Sequence, residues 1–112
     1  MSENSPRVVL ISADLDALAH GMPIVDGTFA PYKLFDGPGF QIRQLAFDAG
    51  AVLGEHRSPH PILVQVVDGS VGFAVDGSTY ELGRGSILHV ASDVPHSLVA
   101  REVSRVIVTA IG

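Results

Sequence analysis

The chain of 112 residues contains no cysteine and few basic residues, and both absences exclude classes of protein. Without cysteine it forms neither disulfides nor cysteine-ligated zinc sites, and a reducing compartment is permitted. Seven Lys and Arg against 12 Asp and Glu give a net charge of −5. The basic residues do not cluster, so the concentrated positive field that binds nucleic acid or an anionic membrane surface is missing.

Long apolar runs are missing as well. No stretch approaches the roughly 18 apolar residues of a membrane-spanning helix, and residues 1–12 lack the basic start and the apolar length of a signal peptide. We therefore expect a soluble, cytoplasmic protein that binds neither membrane nor nucleic acid. Residues 1–6 are polar and are predicted to form a flexible tail. Residues 7–112 are predicted to form one domain, because 46% hydrophobic residues supply a generous core.

Short β-rich segments separated by turn residues fill most of the remaining chain. Residues 12–19 predict a short helix, with Ser12 as its cap. Asp-Gly pairs favour tight hairpins, since both residues tolerate positive φ. Four such pairs occur, at residues 26–27, 36–37, 68–69 and 76–77. Strands are predicted over residues 32–35, 40–47, 62–67, 71–75, 79–82, 86–90 and 103–111. This pattern predicts an all-β sandwich or barrel.

Two glycine-bounded segments place histidines at the ends of apolar runs. Gly50, His56 and Gly69 mark the first segment, and Gly85 and His96 mark the second. The spacing of these five residues resembles the two sequence motifs of the cupin superfamily, in the form found in small single-domain cupins. The resemblance covers about residues 40–110. It implies a cupin-type (jelly-roll) antiparallel β-barrel with a central pocket, here preceded by the short helix.

The resemblance also implies where a metal would bind. Cupins hold a divalent transition metal, often Fe, Mn, Ni or Zn, with three histidines and a glutamate, and His56 and His96 stand at two of those four positions. Ser58 replaces the second histidine and Ile62 replaces the glutamate, so the metal-binding motifs are degenerate.

His60 is a further candidate ligand, because it has the same strand parity as His56. In an extended strand the two Cα atoms would be about 13 Å apart. Both residues can therefore bind one metal only if the chain bends, which Pro59 and Pro61 favour. The alternative is that His60 lies at the mouth of the barrel.

Ile62 in a ligand position favours an apolar pocket. Ile62, Val64 and Val66 would form one apolar wall inside the barrel. Phe73 is predicted to line the same pocket, and Ser58 completes the set of candidate ligand-binding residues. His20 and His89 are assigned no role, because a histidine in such a position is more often structural than functional.

The sequence is compatible with three functions. The first is a barrel that binds a small organic molecule and retains a degenerate histidine site. The second is a metal-dependent cupin enzyme, a dioxygenase or an isomerase, that uses His56, His60 and His96. The third is a structural or interaction domain. The loss of two of the four metal ligands favours the binding barrel over the enzyme.

A homodimer is expected, partly because the resemblance implies one. The run Val-Val-Leu-Ile at residues 8–11 gives an independent reason, since an apolar strand edge left open invites association. Docking of this run against a partner's sheet would form a two-fold interface. The alternative is that the run caps its own barrel, which would leave a monomer.

Overall fold

The structure, a computed structural model, describes residues 6–112. Within this range it contains one short helix and nine strands, which confirms the all-β fold class with a short N-terminal helix. The flexible tail predicted for residues 1–6 lies, except for Pro6, outside the described residues. No helix in the described part of the chain has the length and apolar character needed to cross a membrane.

The helix and strands follow one another along the chain with short connections. The helix α1 spans Leu15–Ala19. The strands are β1 (Phe29–Gly37), β2 (Phe40–Phe47), β3 (Val52–His56), β4 (Ile62–Asp68), β5 (Ser70–Val75), β6 (Ser78–Gly83), β7 (Ile87–Val90), β8 (His96–Ala100) and β9 (Ser104–Ile111).

The strands form two antiparallel sheets. One sheet has five strands in the order β1-β2-β9-β4-β7, and the other has four strands in the order β3-β8-β5-β6. Neighbouring strands are often distant in sequence, as in the jelly-roll arrangement. The hydrophobic core combines side chains from both sheets, among them Phe47, Val64 and Val106 from the first and Phe73 and Leu98 from the second. The two sheets therefore enclose one apolar interior.

The helix begins later than the sequence predicts. Its N-cap is Asp14, whose carboxylate accepts a hydrogen bond of 2.8 Å from the backbone N–H of Ala17. The hydroxyl of Ser12 instead donates to the backbone carbonyl of Asp14. Asp and Ser are both good N-caps, so the sequence pattern alone does not choose between two candidates that are two residues apart.

Of the four Asp-Gly pairs, residues 76–77 form the turn of a hairpin, between β5 and β6. Residues 68–69 instead join β4 to β5, which lie in different sheets, and residues 26–27 precede β1. At Asp76 and Gly77 both residues have positive φ, 56° and 77°, as a tight two-residue turn requires. At residues 36–37 the turn is displaced, because Gly37 is still part of β1 and Gly39 takes the positive φ of 83°. Pro38 fixes its own φ near −65°, which leaves the left-handed position to Gly39.

A polar network attaches the N-terminal segment to the five-stranded sheet. Gln44 of β2 is fully buried and donates to the backbone carbonyl of Leu18 and to the sulfur of Met22. Arg105 of β9 donates to the carbonyl of Met22 and to Oε1 of Gln44. Because this network buries a polar face of β2, both faces of that strand are covered.

Candidate functional site

Two histidines meet where β3 ends and β8 begins. His56 is the last residue of β3, His96 is the first residue of β8, and their Cα atoms are partners in the antiparallel pairing of the two strands. An irregularity in the pairing between Leu53 and His56 sets this register. The ring centroids are 4.3 Å apart, with the planes at 67°. The two imidazoles therefore form one cluster at a sheet end.

Hydrogen bonds to the backbone determine which ring nitrogen carries the proton in the neutral imidazoles. Nδ1 of His56 lies 3.0 Å from the carbonyl oxygen of Gly54, and Nδ1 of His96 lies 2.9 Å from that of Val94. A carbonyl oxygen only accepts, so Nδ1 is the donor in both contacts. Each neutral ring then keeps a lone pair on Nε2, which can accept a proton, a ligand hydrogen bond or a metal.

His96 is the more buried of the two histidines. Its side chain is almost inaccessible and stacks on the ring of Phe73, with centroids 5.4 Å apart and planes at 15°. Burial lowers the pKa of His96 below its ordinary value of 6.5, and the charge of His56 acts in the same direction. The hydrogen bond to Val94 opposes the shift. His96 is accordingly a neutral imidazole at neutral pH.

A backbone hydrogen bond holds the loops beside the two histidines together. The N–H of Asp93, three residues before His96, donates to the carbonyl of Ser58, two residues after His56, at 2.7 Å. Asp93 has a left-handed φ of 63°. The resemblance to the cupin motifs implies a glycine at the position of Asp93, and a left-handed φ is a conformation that glycine adopts without steric cost.

The histidines line a cavity of about 260 Å³ between the two sheets. Most of the lining is aliphatic or aromatic, and none of the lining residues in the described chain is acidic. The lining residues are Phe29, Arg43, Leu45, Leu53, His56, Ile62, Val64, Phe73, His96, Leu98, Val106 and Val108. Such a cavity, apolar with a few polar groups, has the general character of a small-molecule site.

Three of the four predicted pocket residues line this cavity, namely Ile62, Val64 and Phe73. Ser58 is not among the lining residues of the described chain. Its hydroxyl accepts a hydrogen bond from the N–H of His60, and its carbonyl accepts the bond from Asp93. Ser58 thus organises the loop after β3, and its role as a pocket residue stays a prediction.

The predicted third histidine does not join the other two. His60 is exposed, lies beside Gly112 at the C-terminus, and is absent from the cavity lining of the described residues. β3 ends at His56, and the bend follows at residues 59–60, before β4 begins at Ile62. His60 and His96 consequently lie in different surroundings, and the predicted group of three histidines is not assembled.

The donor set does not fit a complete metal site. Among residues 6–112 no group of three or more His, Cys, Asp or Glu side chains is placed to hold one metal ion. The pair His56 and His96 supplies two nitrogens, whereas a resident divalent metal takes at least three protein ligands in most sites. Ile62, buried in the cavity wall, supplies none.

Several lining residues were not predicted from the sequence, and Arg43 is the most informative of them. Arg43, Leu45 and Phe47 have the same parity on β2 and face the interior. The sequence of β2 does not alternate between apolar and polar residues in a way that marks the inner face, because Gln44 and Ala46 on the opposite face are buried too. Without alternation between buried and exposed residues, the sequence of β2 does not show which face is inside.

A comparison with protein families identifies the fold family. The family described as the cupin domain matches residues 44–112, which contain both histidines and all three motif glycines. The chain belongs to the cupin family. The predicted resemblance is therefore confirmed. A search of curated proteins finds no match to this cupin.

Solved structures show the same fold over most of the cupin. A conserved protein of unknown function from Streptococcus pyogenes is 21% identical, with a TM-score of 0.76 over 96% of this chain and 89% of that one. An RmlC-like cupin from Desulfovibrio desulfuricans is 23% identical, with a TM-score of 0.72 over 99% and 95% of the two chains.

An enzyme is among the similar structures. Salicylate 1,2-dioxygenase from Pseudoaminobacter salicylatoxidans, solved as adducts with gentisate, is 20% identical with a TM-score of 0.71. The match covers 78% of this cupin and 25% of the dioxygenase chain. At these levels of identity the likeness concerns the fold.

Proposed function

We propose that this cupin binds a small organic molecule in the cavity between its two sheets. The observation that supports the proposal is the cavity itself, about 260 Å³ of mostly apolar wall with two imidazoles at one side. The apolar wall supplies binding energy by removing ligand surface from water, at roughly 25 cal/mol per Å². The lone pair on Nε2 of each neutral histidine supplies a directional polar contact.

The test uses phenylacetamide, an uncharged probe with an apolar body. Its binding is followed by the ¹³C-methyl NMR shifts of the leucine, valine and isoleucine residues. Leu53, which lines the cavity, and Val52, which is 60% exposed on the same strand, form a matched pair of positions. We expect saturable shifts at cavity methyls, loss of binding in Leu53→Trp, and unchanged binding in Val52→Trp. Absence of saturable shifts in the wild-type protein would contradict the proposal.

The second candidate is a metal-dependent enzyme, a dioxygenase or isomerase. The observation in its favour is that Nδ1 of His56 and of His96 is held by a backbone carbonyl, as is usual for metal-ligating histidines. The incomplete donor set weighs against it, so His60 remains a proposed ligand only in a rearranged loop. A bound Fe, Mn, Ni or Zn ion would be ligated by His56 and His96.

Elemental analysis of protein prepared without a histidine tag tests the metal candidate. Stoichiometric metal that is lost in the His56→Ala/His96→Ala variant would support it. We expect that Ile62→Glu, which adds a carboxylate to the cavity that the two histidines also line, raises the affinity for added Zn²⁺. Metal that is retained in the double alanine variant would mean that the ion binds elsewhere.

We also propose that this cupin is a cytoplasmic homodimer. Residues 8–11 support the dimer, because Val8 and Leu10 are 88% and 76% exposed in the single chain. This exposure disfavours the alternative in which the run caps its own barrel. The cytoplasmic location is supported by the absence of cysteine, which suits a reducing compartment.

A further inference from the structure

Arg43 is the single charged residue in the cavity lining within the described chain. It lies on β2 of the five-stranded sheet, whereas His56 and His96 lie on the four-stranded sheet. Its side chain is 33% exposed, which places it between the apolar interior and solvent. A ligand in the cavity therefore has imidazoles on one sheet and a guanidinium on the other.

The hydrogen bonds of Arg43 leave part of its guanidinium available. Nη1 donates to Oδ1 of Asp36 at 2.6 Å and to the carbonyl of Ile42 at 3.1 Å. Nε and Nη2 of Arg43 have no hydrogen-bond acceptor within residues 6–112. Arg101 differs, because its Nε and Nη2 both donate to the carboxylate of Glu81. The Nε–Nη2 edge of Arg43 is thus free for a planar acceptor.

The ion-paired group around Arg43 carries an excess of positive charge, which favours binding of an anion. Asp36 is shared between Arg43 and Lys33, whose Nζ lies 3.1 Å from its second oxygen. Hydrogen bonds from these two cations lower the pKa of Asp36, so that it carries a full negative charge at neutral pH. Two positive charges then face one negative charge. The local excess is positive although the whole chain has a net charge of −5.

We propose that Arg43 binds the carboxylate of a small organic acid whose apolar body occupies the cavity. The inference rests on the proposed function, since it specifies the chemical class of the ligand. A carboxylate accepts two parallel hydrogen bonds from the free edge of a guanidinium, and this geometry distinguishes arginine from lysine. Binding replaces solvent on Nε and Nη2 and leaves the contact between Nη1 and Asp36 intact.

The experiment compares phenylacetate with phenylacetamide, two probes of the same shape that differ in charge. Calorimetric titration of the wild-type cupin should show phenylacetate binding about tenfold more tightly, the lower end for a charge-assisted hydrogen bond at a partly exposed site. In Arg43→Gln the affinity for phenylacetate should fall to that of phenylacetamide, whose own affinity should not change. Arg43→Lys should restore only part of the preference, because lysine lacks the planar edge.

Asp36→Asn separates anion binding from a structural role of the ion pair. Removing the carboxylate that competes for Arg43 should increase the affinity for phenylacetate, opposite to the effect of Arg43→Gln. A purely structural ion pair would make both variants change binding in the same direction. Arg101→Gln, which removes a surface ion pair outside the cavity, should leave both affinities unchanged.

Different results overturn the inference and the proposed function. Equal affinity of the wild-type protein for both probes would overturn the role of Arg43 and leave the cavity as a binding site. Equal losses for both probes in Arg43→Gln would assign Arg43 a structural role and likewise overturn the inference. Failure of both probes to bind the folded wild-type protein would contradict the proposed function and the inference with it.

Discussion

His96 combines burial with a titratable ring, and its effect on stability therefore depends on pH. Its pKa in the folded state is below 6.5, the value expected in the unfolded chain. Below pH 6.5 the unfolded state binds more protons than the folded state, which lowers the free energy of unfolding. The contribution of the neutral ring is complete above pH 6.5 and is lost as the pH falls towards the folded-state pKa.

The measurement is urea unfolding between pH 5 and 8. Because other histidines also titrate in this range, the informative quantity is the difference between the wild type and His96→Gln. We expect the advantage of the wild type to decrease as the pH falls through about 6.5. The loss of stacking on Phe73 affects this difference equally at every pH. A difference independent of pH would show that the ring of His96 is not kept neutral by the fold.

Asp93 has a backbone conformation that suits glycine better than aspartate. Its φ of 63° is left-handed. For a residue with a Cβ atom this conformation costs about 1–2 kcal/mol relative to the right-handed one, and the cost is smaller for Asp. Glycine removes that cost but adds freedom to the unfolded chain. We therefore expect Asp93→Gly to raise the free energy of unfolding by up to about 1 kcal/mol, and Asp93→Ala to lower it. Urea denaturation measures both, and equal effects of the two substitutions would contradict this account.

At the scale of the element, the sequence predicts seven of the nine strands and misses β3 and β8. These two strands bring His56 and His96 together. β3 is short, mostly exposed and contains Gly54, so its residues give no period-two pattern. β8 alternates clearly between buried and half-buried residues and directly follows Pro95, so its sequence carries a strand signal that the prediction did not use.

The sequence likewise identifies some residues of the candidate site and misses others. The motif spacing identifies His56 and His96, and the parity of β4 identifies Ile62 and Val64 as a cavity wall. His60 and Ser58 lie outside the described cavity lining, because strand parity applies only while a strand continues and β3 stops at His56. Arg43 is missed because covering both faces of β2 removes the pattern that would reveal its inward face.

The network between Gln44 and Arg105 attaches the helix segment to the sheet. Gln44 is fully buried, so removing its amide leaves the carbonyl of Leu18 without that donor and Arg105 without one acceptor. We expect Gln44→Leu to lower the free energy of unfolding by about 1–3 kcal/mol.

A double-mutant cycle tests whether the two side chains act together. Because they share one network, Gln44→Leu and Arg105→Met should be less than additive when combined. The control is Glu81→Gln, which breaks an exposed ion pair with Arg101 and should change stability much less. Additive effects of the two core substitutions would show that they stabilise the fold independently.

At the scale of the whole molecule, β1 and β7 are the edge strands of the five-stranded sheet within residues 6–112. β7 exposes 66% of Ile87, and residues 8–11 of the same chain present exposed apolar side chains. In a two-fold dimer, the apolar segment of each copy can cover the exposed apolar edge strand of the other copy. This arrangement specifies the proposed dimer as docking of residues 8–11 against the β7 edge of the partner.

Light scattering at micromolar concentration tests the dimer directly. We expect a mass of twice the 11.8 kDa chain for the wild type, and a mass near that of one chain after deletion of residues 1–11. Ile87→Lys should also dissociate the dimer, because a buried lysine without a partner is strongly disfavoured at an apolar interface. Val52→Lys places the same charge on β3, the edge of the other sheet, and should leave the mass unchanged. A dimer that survives both the deletion and Ile87→Lys would place the interface elsewhere, and a wild-type mass of 11.8 kDa would refute the dimer itself.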